Sequence, residues 1–159
     1  QGLPYVWGGN IAEGVPEILK FYPPGGRLSP AIKNMWMLRG LDCSGLLYEA
    51  SDGATPRNTS DLTRFGKPVP IAGLVPSQIA SKLQPLDLIV WKGHVIIVLD
   101  RERTIESCMG CSSKSGVTIR KLDAVLKEIM KTRTPMNTYP EKNAPGEKPF
   151  VIRRWHHGA

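Results

Sequence analysis

Apolar positions follow two different periods along this chain. Cys43, Leu46, Leu47 and Ala50 recur at i, i+3, i+4 and i+7, which is helical spacing. Asp42 stands just before that run as a good N-cap, and Gly40 lets the chain turn into it. The same period returns in Leu122, Val125, Leu126 and Ile129, predicting a helix over 122–130. Between these stretches the pattern changes to strands. Leu88-Ile89-Val90-Trp91 leads through the two-residue turn Lys92-Gly93 into His94-Val95-Ile96-Ile97-Val98-Leu99. The run from 95 to 99 is continuously aliphatic, which predicts a central strand buried on both faces. Thr104-Ile105-Glu106-Ser107 and Val117-Thr118-Ile119-Arg120 read as further strands, and Phe150-Val151-Ile152-Arg153-Arg154-Trp155 as the closing one. Together these elements predict an α+β fold.

Weaker signals fill the rest. Residues 16–22 could form a short helix, which Pro23-Pro24-Gly25-Gly26 must end. Residues 32–38 could add one or two helical turns. The whole 10–39 segment reads as an extended surface loop with short helices, suited to walling a cleft. Ser60 could cap a helix running to about Phe65, with Gly66 ending it. Residues 74–83 read as a linker with a short amphipathic segment. Residues 135–149 are polar, rich in Pro, Asn and Gly, and are expected to form a mobile loop.

Composition narrows the class. With 159 residues, 41% hydrophobic and 22% charged, the chain fits one globular domain over 1–159 with a real core. No apolar run is long enough to span a bilayer as a helix. Lys and Arg exceed Asp and Glu by 21 to 14, a net charge of +7. Such a balance suits a polyanionic surface. The basic residues are scattered, only Arg153-Arg154 pairs tightly beside an aromatic, and no nucleic-acid motif is present, so nucleic acid is not expected as a partner. Three cysteines do not make a disulfide framework. Cys108 and Cys111 form a C-x-x-C that lacks thioredoxin-like context, and His94, His156 and His157 are the only histidines to complete a metal site, so no metal is expected. The pair reads as structural or incidental.

The remaining chemistry centres on Cys43. Taken alone, it is better explained as a small apolar residue packing its helix. At a helix N-terminus, however, backbone N–H groups and the helix dipole favour a thiolate, the form that attacks carbonyls. Such a nucleophile needs a base, best oriented by a third polar group. His94 precedes a rigid buried strand that would hold it. Glu106, one strand later, is the candidate third member, on one condition. A two-residue loop with Asp100 opposite Arg103 would turn Glu106 away from His94's face. A three-residue loop with Asp100 opposite Thr104 would bring it to that face, so an odd loop or a bulge is expected. Upstream, alternation sets Tyr5 and Trp7 on one side of an extended segment that ends in Gly8-Gly9. Arg57 is locally either a solvated charge or an anchor for a carboxylate.

Five elements occur in order: Tyr5-Val6-Trp7-Gly8-Gly9, Leu41-Asp42-Cys43-Ser44-Gly45-Leu46, Pro56-Arg57-Asn58-Thr59-Ser60, Leu86-Asp87-Leu88-Ile89-Val90-Trp91 and Gly93-His94-Val95-Ile96-Ile97-Val98. In this combination the chain resembles the NlpC/P60 cysteine peptidases. The resemblance implies a minimal papain-like fold, with the cysteine-bearing helix packed on a central antiparallel sheet. It implies an extracytoplasmic cell-wall endopeptidase, monomeric and needing no cofactor. Its substrate would be a peptidoglycan stem peptide, cut between γ-D-glutamyl and a diamino acid such as meso-diaminopimelate. By the same resemblance Cys43 is the nucleophile, His94 the base and Glu106 the third polar residue. Tyr5 would help form the oxyanion hole with the Cys43 backbone N–H. Asp42 and Ser44 match substrate-holding positions, Trp7 lies in the tyrosine motif on the substrate side, and Arg57 matches the arginine of P-R-x-x-S. The long 10–39 segment departs from the family pattern. It motivates an alternative, a secreted effector or toxin, or an amidase or acyltransferase, using the same site on another amide or ester. A non-enzymatic envelope-binding module is disfavoured by the intact Cys43, His94 and Glu106 set.

Overall fold

The computed structural model describes residues 2–111 and 115–156, with Asn10 through its backbone only. The chain forms two compact units, residues 1–54 with 106–118 and residues 55–105 with 119–159.

In the first unit, β1 (Asn10–Ile11) pairs antiparallel with β2 (Gly40–Leu41). The intervening segment carries α1 (Ile18–Phe21) and α2 (Pro30–Trp36). α2 starts two residues earlier than its apolar pattern suggests. Ser29 caps it by accepting from the Ile32 N–H at 3.3 Å, and Pro30, which has no N–H to satisfy, takes the first helical position. The segment is tied down at several points: Val15 N–H donates to the Met37 carbonyl at 2.7 Å, and the Trp36 indole Nε1–H to the Tyr22 carbonyl at 3.0 Å. The helix expected at the cysteine follows as α3 (Cys43–Ala50), with Asp42 at its N-cap. Gly40 has φ +151°, and a Cβ there would meet the Pro4 carbonyl and the Val6 side chain, so the turn into α3 requires glycine.

The second unit opens with α4 (Thr59–Leu62), β3 (Lys67–Val69), α5 (Pro76–Lys82), β4 (Leu88–Trp91) and β5 (His94–Val98). It continues through β6 (Arg103–Cys108), β7 (Gly116–Lys121), α6 (Leu122–Ile129), β8 (Thr134–Pro135) and β9 (Pro149–Arg154). Among the described residues the strand order is β3-β9-β4-β5-β6-β7, with β8 parallel to β9. β6 begins in the second unit and ends in the first, and β7 begins in the first and ends in the second. The mixture of short helices and a mainly antiparallel sheet is the expected α+β class.

The closing segment is not an edge. β9 inserts between β3 and β4, in register Ile152 to Ile89 and Ile152 to Val69. Ile89 in turn faces Ile96 of β5. This cross-strand row belongs to a core that also buries Ile79 and Leu83 from the α5 region, Leu122, Val125, Leu126 and Ile129 of α6, and Phe150. The helical stripe read in 122–130 is therefore the face α6 turns to the sheet. Val95 to Val98 are all buried, as expected, while Leu99 at the end of the predicted run is half-buried and follows the strand.

One local expectation changes. The helix after Pro56-Arg57 is capped at Asn58 rather than Ser60, and Thr63 closes it before Phe65. Asn58 has the extended backbone an N-cap needs, whereas Ser60 lies inside the helix and its carbonyl accepts from Thr63 Oγ1 at 2.6 Å. The 135–149 segment is anchored along its first half. Asn137 Oδ1 accepts from the N–H groups of Ile71 and Ala72, both at 2.8 Å, Met136 N–H donates to the Phe150 carbonyl at 3.0 Å, and Tyr139 is buried.

Candidate active site

The first unit holds Tyr5, Trp7, Asp42, Cys43, Ser44 and Glu106. Cys43 is the first residue of α3, is buried, and takes no part in a disulfide. Asp42 does more than cap the helix. Its Oδ1 accepts from the Gly45 N–H at 2.7 Å and from Ser44 Oγ at 3.4 Å, while Oδ2 accepts from the Gly8 N–H at 3.0 Å. The Asp42 N–H donates to the Gly9 carbonyl at 2.9 Å and the Leu41 N–H to the Pro4 carbonyl at 3.1 Å. The aromatic motif is thus stitched, backbone to backbone, to the two residues that precede the cysteine. The approach is close enough that a Cβ on Gly45 would collide with the Gly9 carbonyl oxygen, and one on Gly9 with Gly40. Within this motif Tyr5 is half-buried and Trp7 is 83% exposed.

Glu106 is almost fully buried, and its neighbour Ser107 donates through Oγ to the Leu41 carbonyl at 2.6 Å. The end of β6 is thereby fixed to the residue two before Cys43. Cys108 and Cys111 are joined in a disulfide, with Cα atoms 5.8 Å apart. In that state neither offers the thiolate a metal would take. Cys111 Sγ also lies 3.6 Å from Glu106 Oε2.

The second unit holds His94 and Arg57. His94 opens β5 directly after the turn, half-buried, its ring 5.3 Å from the Trp91 ring at an interplanar angle of 41°. The turn is held from outside: the Gly93 N–H donates to Thr59 Oγ1 at 2.9 Å. Gly93 itself has φ +110°, which a side chain would strain. The P-R-x-x-S element, whose Arg57 is half-buried, therefore reaches the residue before His94 through its threonine. The Arg133 guanidinium also stands 4.2 Å from the Trp91 ring centroid, and burial lowers its pKa.

The loop between β5 and β6 is odd, as expected. Leu99 N–H donates to the Arg103 carbonyl across the three residues Asp100, Arg101 and Glu102. Its register sits two residues from the expected one, with Val98 opposite Thr104. Thr104 so takes the parity of His94 in the ladder.

Sequence reasoning missed Thr59, Ser107 and Arg133. Thr59 lay inside a recognised element and could have been found as a hydroxyl near a glycine turn. Ser107 and Arg133 act through the backbone or rings of residues distant in sequence, for which no local pattern exists.

Neither a scan against models of known families nor a comparison with curated protein sequences gives a match. Solved structures do. The chain is similar, over 98% of its length, to the P60 domain from the M. avium subspecies paratuberculosis antigen MAP1204, with 21% identity, a TM-score of 0.52 and 87% of that chain covered. It is also similar, over 99% of its length, to the Mycobacterium tuberculosis peptidoglycan hydrolase RipB, with 24% identity and a TM-score of 0.51, and spans 59% of that chain. The chain has the fold of a P60 domain.

Proposed function

We propose that this chain is a cysteine endopeptidase that hydrolyses peptidoglycan stem peptides, at the γ-D-glutamyl–diamino acid bond. The observation that carries the proposal is Asp42, which caps the helix that begins with Cys43 and binds the Gly8 N–H of the tyrosine motif. The P60-domain fold and the described activity of RipB as a peptidoglycan hydrolase support it.

In this reading the two units make one catalytic domain. Cys43 Sγ attacks the amide carbonyl carbon while His94 takes the thiol proton. Glu106 fixes the His94 tautomer. The Cys43 backbone N–H and the Tyr5 hydroxyl donate to the oxyanion that forms. The C–N bond breaks as His94 passes its proton to the leaving amine, leaving a thioester on Cys43. Water, deprotonated by His94, attacks that thioester and releases the carboxylic acid and the free thiol. Trp7, Ser44 and Arg57 contact the stem peptide, with Asp42 shaping the site beside Cys43. A substrate in the cell wall places the protein outside the cytoplasm, where it acts as a monomer. Among the described residues no helix is long and apolar enough to cross a membrane.

The test is incubation of the protein and Cys43→Ala with purified peptidoglycan and with defined stem peptides, followed by mass spectrometry. Cleavage between D-glutamate and the diamino acid, absent in the variant, is the expected result. A second reading, an effector or acyltransferase acting on another amide or ester, draws on the 10–39 segment, which exposes Phe21, Tyr22, Ile32, Met35 and Trp36. Protein whose Cys43 reacts with thiol reagents yet cleaves no stem peptide would favour it.

A further inference from the structure

At the far end of β5 from His94, two adjoining cavities of about 500 and 380 Å³ share Ala80 and Arg101. They form a groove between the β5–β6 loop, α5 and the β7–α6 junction. Five cations line it: Lys82, Arg101, Arg103, Arg120 and Lys121. The lining carboxylates are Glu102 and Asp123.

Neighbouring charges take up some of these groups. Arg103 pairs with Asp100 at 2.6 Å, and the charge of Glu102 also acts on it. Arg120 pairs with Glu128, and Asp123 with Lys127 at 2.7 Å. Lys82, Arg101 and Lys121 then remain, all exposed and without a carboxylate within ion-pair distance among the described residues. Arg101 stands where the cavities meet, Lys121 borders one and Lys82 the other. Lys121 is also the N-cap of α6, so the positive end of that helix adds to the same field.

We propose that this groove binds a linear phosphate-bearing polymer, with Lys82, Arg101 and Lys121 contacting successive phosphates. Cations spaced along an open groove match a chain of repeated charges better than one small anion. Among the described lining residues none is aromatic, and the uncharged ones include Ala80, Leu83 and Ile119. A groove for single-stranded nucleic acid stacks bases on aromatic rings. Its absence here selects a backbone without bases. The proposal concerns binding alone and stands independently of the peptidase reading.

The probes are long-chain inorganic polyphosphate and a poly(glycerol phosphate), titrated against the whole chain at several salt concentrations. Poly-glutamate and single-stranded DNA serve as competing polyanions. The test variant is Lys82→Glu/Arg101→Glu/Lys121→Glu. Its control is Lys20→Glu/Arg27→Glu/Lys33→Glu, an equal charge change in the first unit. The groove variant is expected to lose about tenfold or more in affinity and to flatten the slope of log K against log salt by about two to three, with the control changed far less. The tighter of the two phosphate probes names the source. Equal loss in both variants, no binding of either phosphate polymer, or tighter binding of poly-glutamate or DNA would overturn the proposal. Thermal melting of both variants separates a lost site from a lost fold.

Discussion

Gly8 donates its backbone N–H to Asp42 Oδ2 at 3.0 Å, while the other oxygen of the same carboxylate accepts from Gly45 at 2.7 Å. One side chain therefore does two jobs, capping the cysteine helix and locking the aromatic motif beside it. Asp42→Ala removes both, with an expected cost of about 1–2 kcal/mol in stability from the cap and more from the freed Gly8 amide. Asp42→Asn keeps a single acceptor oxygen and can serve one of the two amides, so it should fall between wild type and alanine. Urea unfolding of the three proteins checks the order.

Thr59 is expected to position His94 through the turn. Thr59→Val preserves shape and removes the acceptor for the Gly93 N–H. Because Gly93 is exposed, the stability cost should be small, about 0.5 kcal/mol. Stem-peptide hydrolysis should lose kcat more than it gains KM, since a displaced base weakens the chemical step rather than binding. Thr59→Ser should restore the rate. A valine variant with unchanged kcat would show that the hydrogen bond has no part in placing His94.

Arg154 and Asp87 form the buried polar link of the second unit. Arg154 Nε and a terminal guanidinium nitrogen donate to the two Asp87 oxygens at 2.8 and 2.6 Å, and the fully buried Asp87 also accepts from the Gln84 N–H at 2.9 Å. The Asp87 hydrogen bond raises the Arg154 pKa further. Arg154→Met leaves a buried carboxylate without its cation. The expected loss is about 3 kcal/mol, the low end for such a pair because the Arg154 side chain is 27% exposed. A double-mutant cycle with Asp87→Asn should show strong non-additivity in chemical denaturation.

The disulfide sets a thiol count. Under denaturing, non-reducing conditions the protein should take up one equivalent of iodoacetamide, at Cys43, and three after reduction. Peptide mapping by mass spectrometry identifies the sites. Because Cys111 Sγ touches the buried Glu106 carboxylate, Cys111→Ala should shift the pH profile of hydrolysis, whereas Cys108→Ala, which breaks the same disulfide without emptying that contact, should shift it less.

The basic pair Arg153-Arg154 shows why charge alone misleads. In sequence it is the one tight basic pair beside an aromatic. In the structure Arg153 is buried, donating to the carbonyls of Phe65, Arg64 and Gly66, and Arg154 is held by Asp87. The cations left exposed and unpaired at the groove are scattered singly through the sequence.

Much of the chain was decided locally. Helical spacing from Cys43, the Asp42 cap and Gly40 gave α3 its start, because each acts through bonds within a few residues. The aliphatic run after His94 gave β5, because a strand buried on both faces must be apolar throughout. Tertiary structure decided what depends on partners far apart in sequence. These are the insertion of β9 beside β4 and the hold of Thr59 on Gly93. A hydrogen bond or a sheet register is fixed by which surfaces meet once the core is packed, and no single stretch of sequence encodes that meeting.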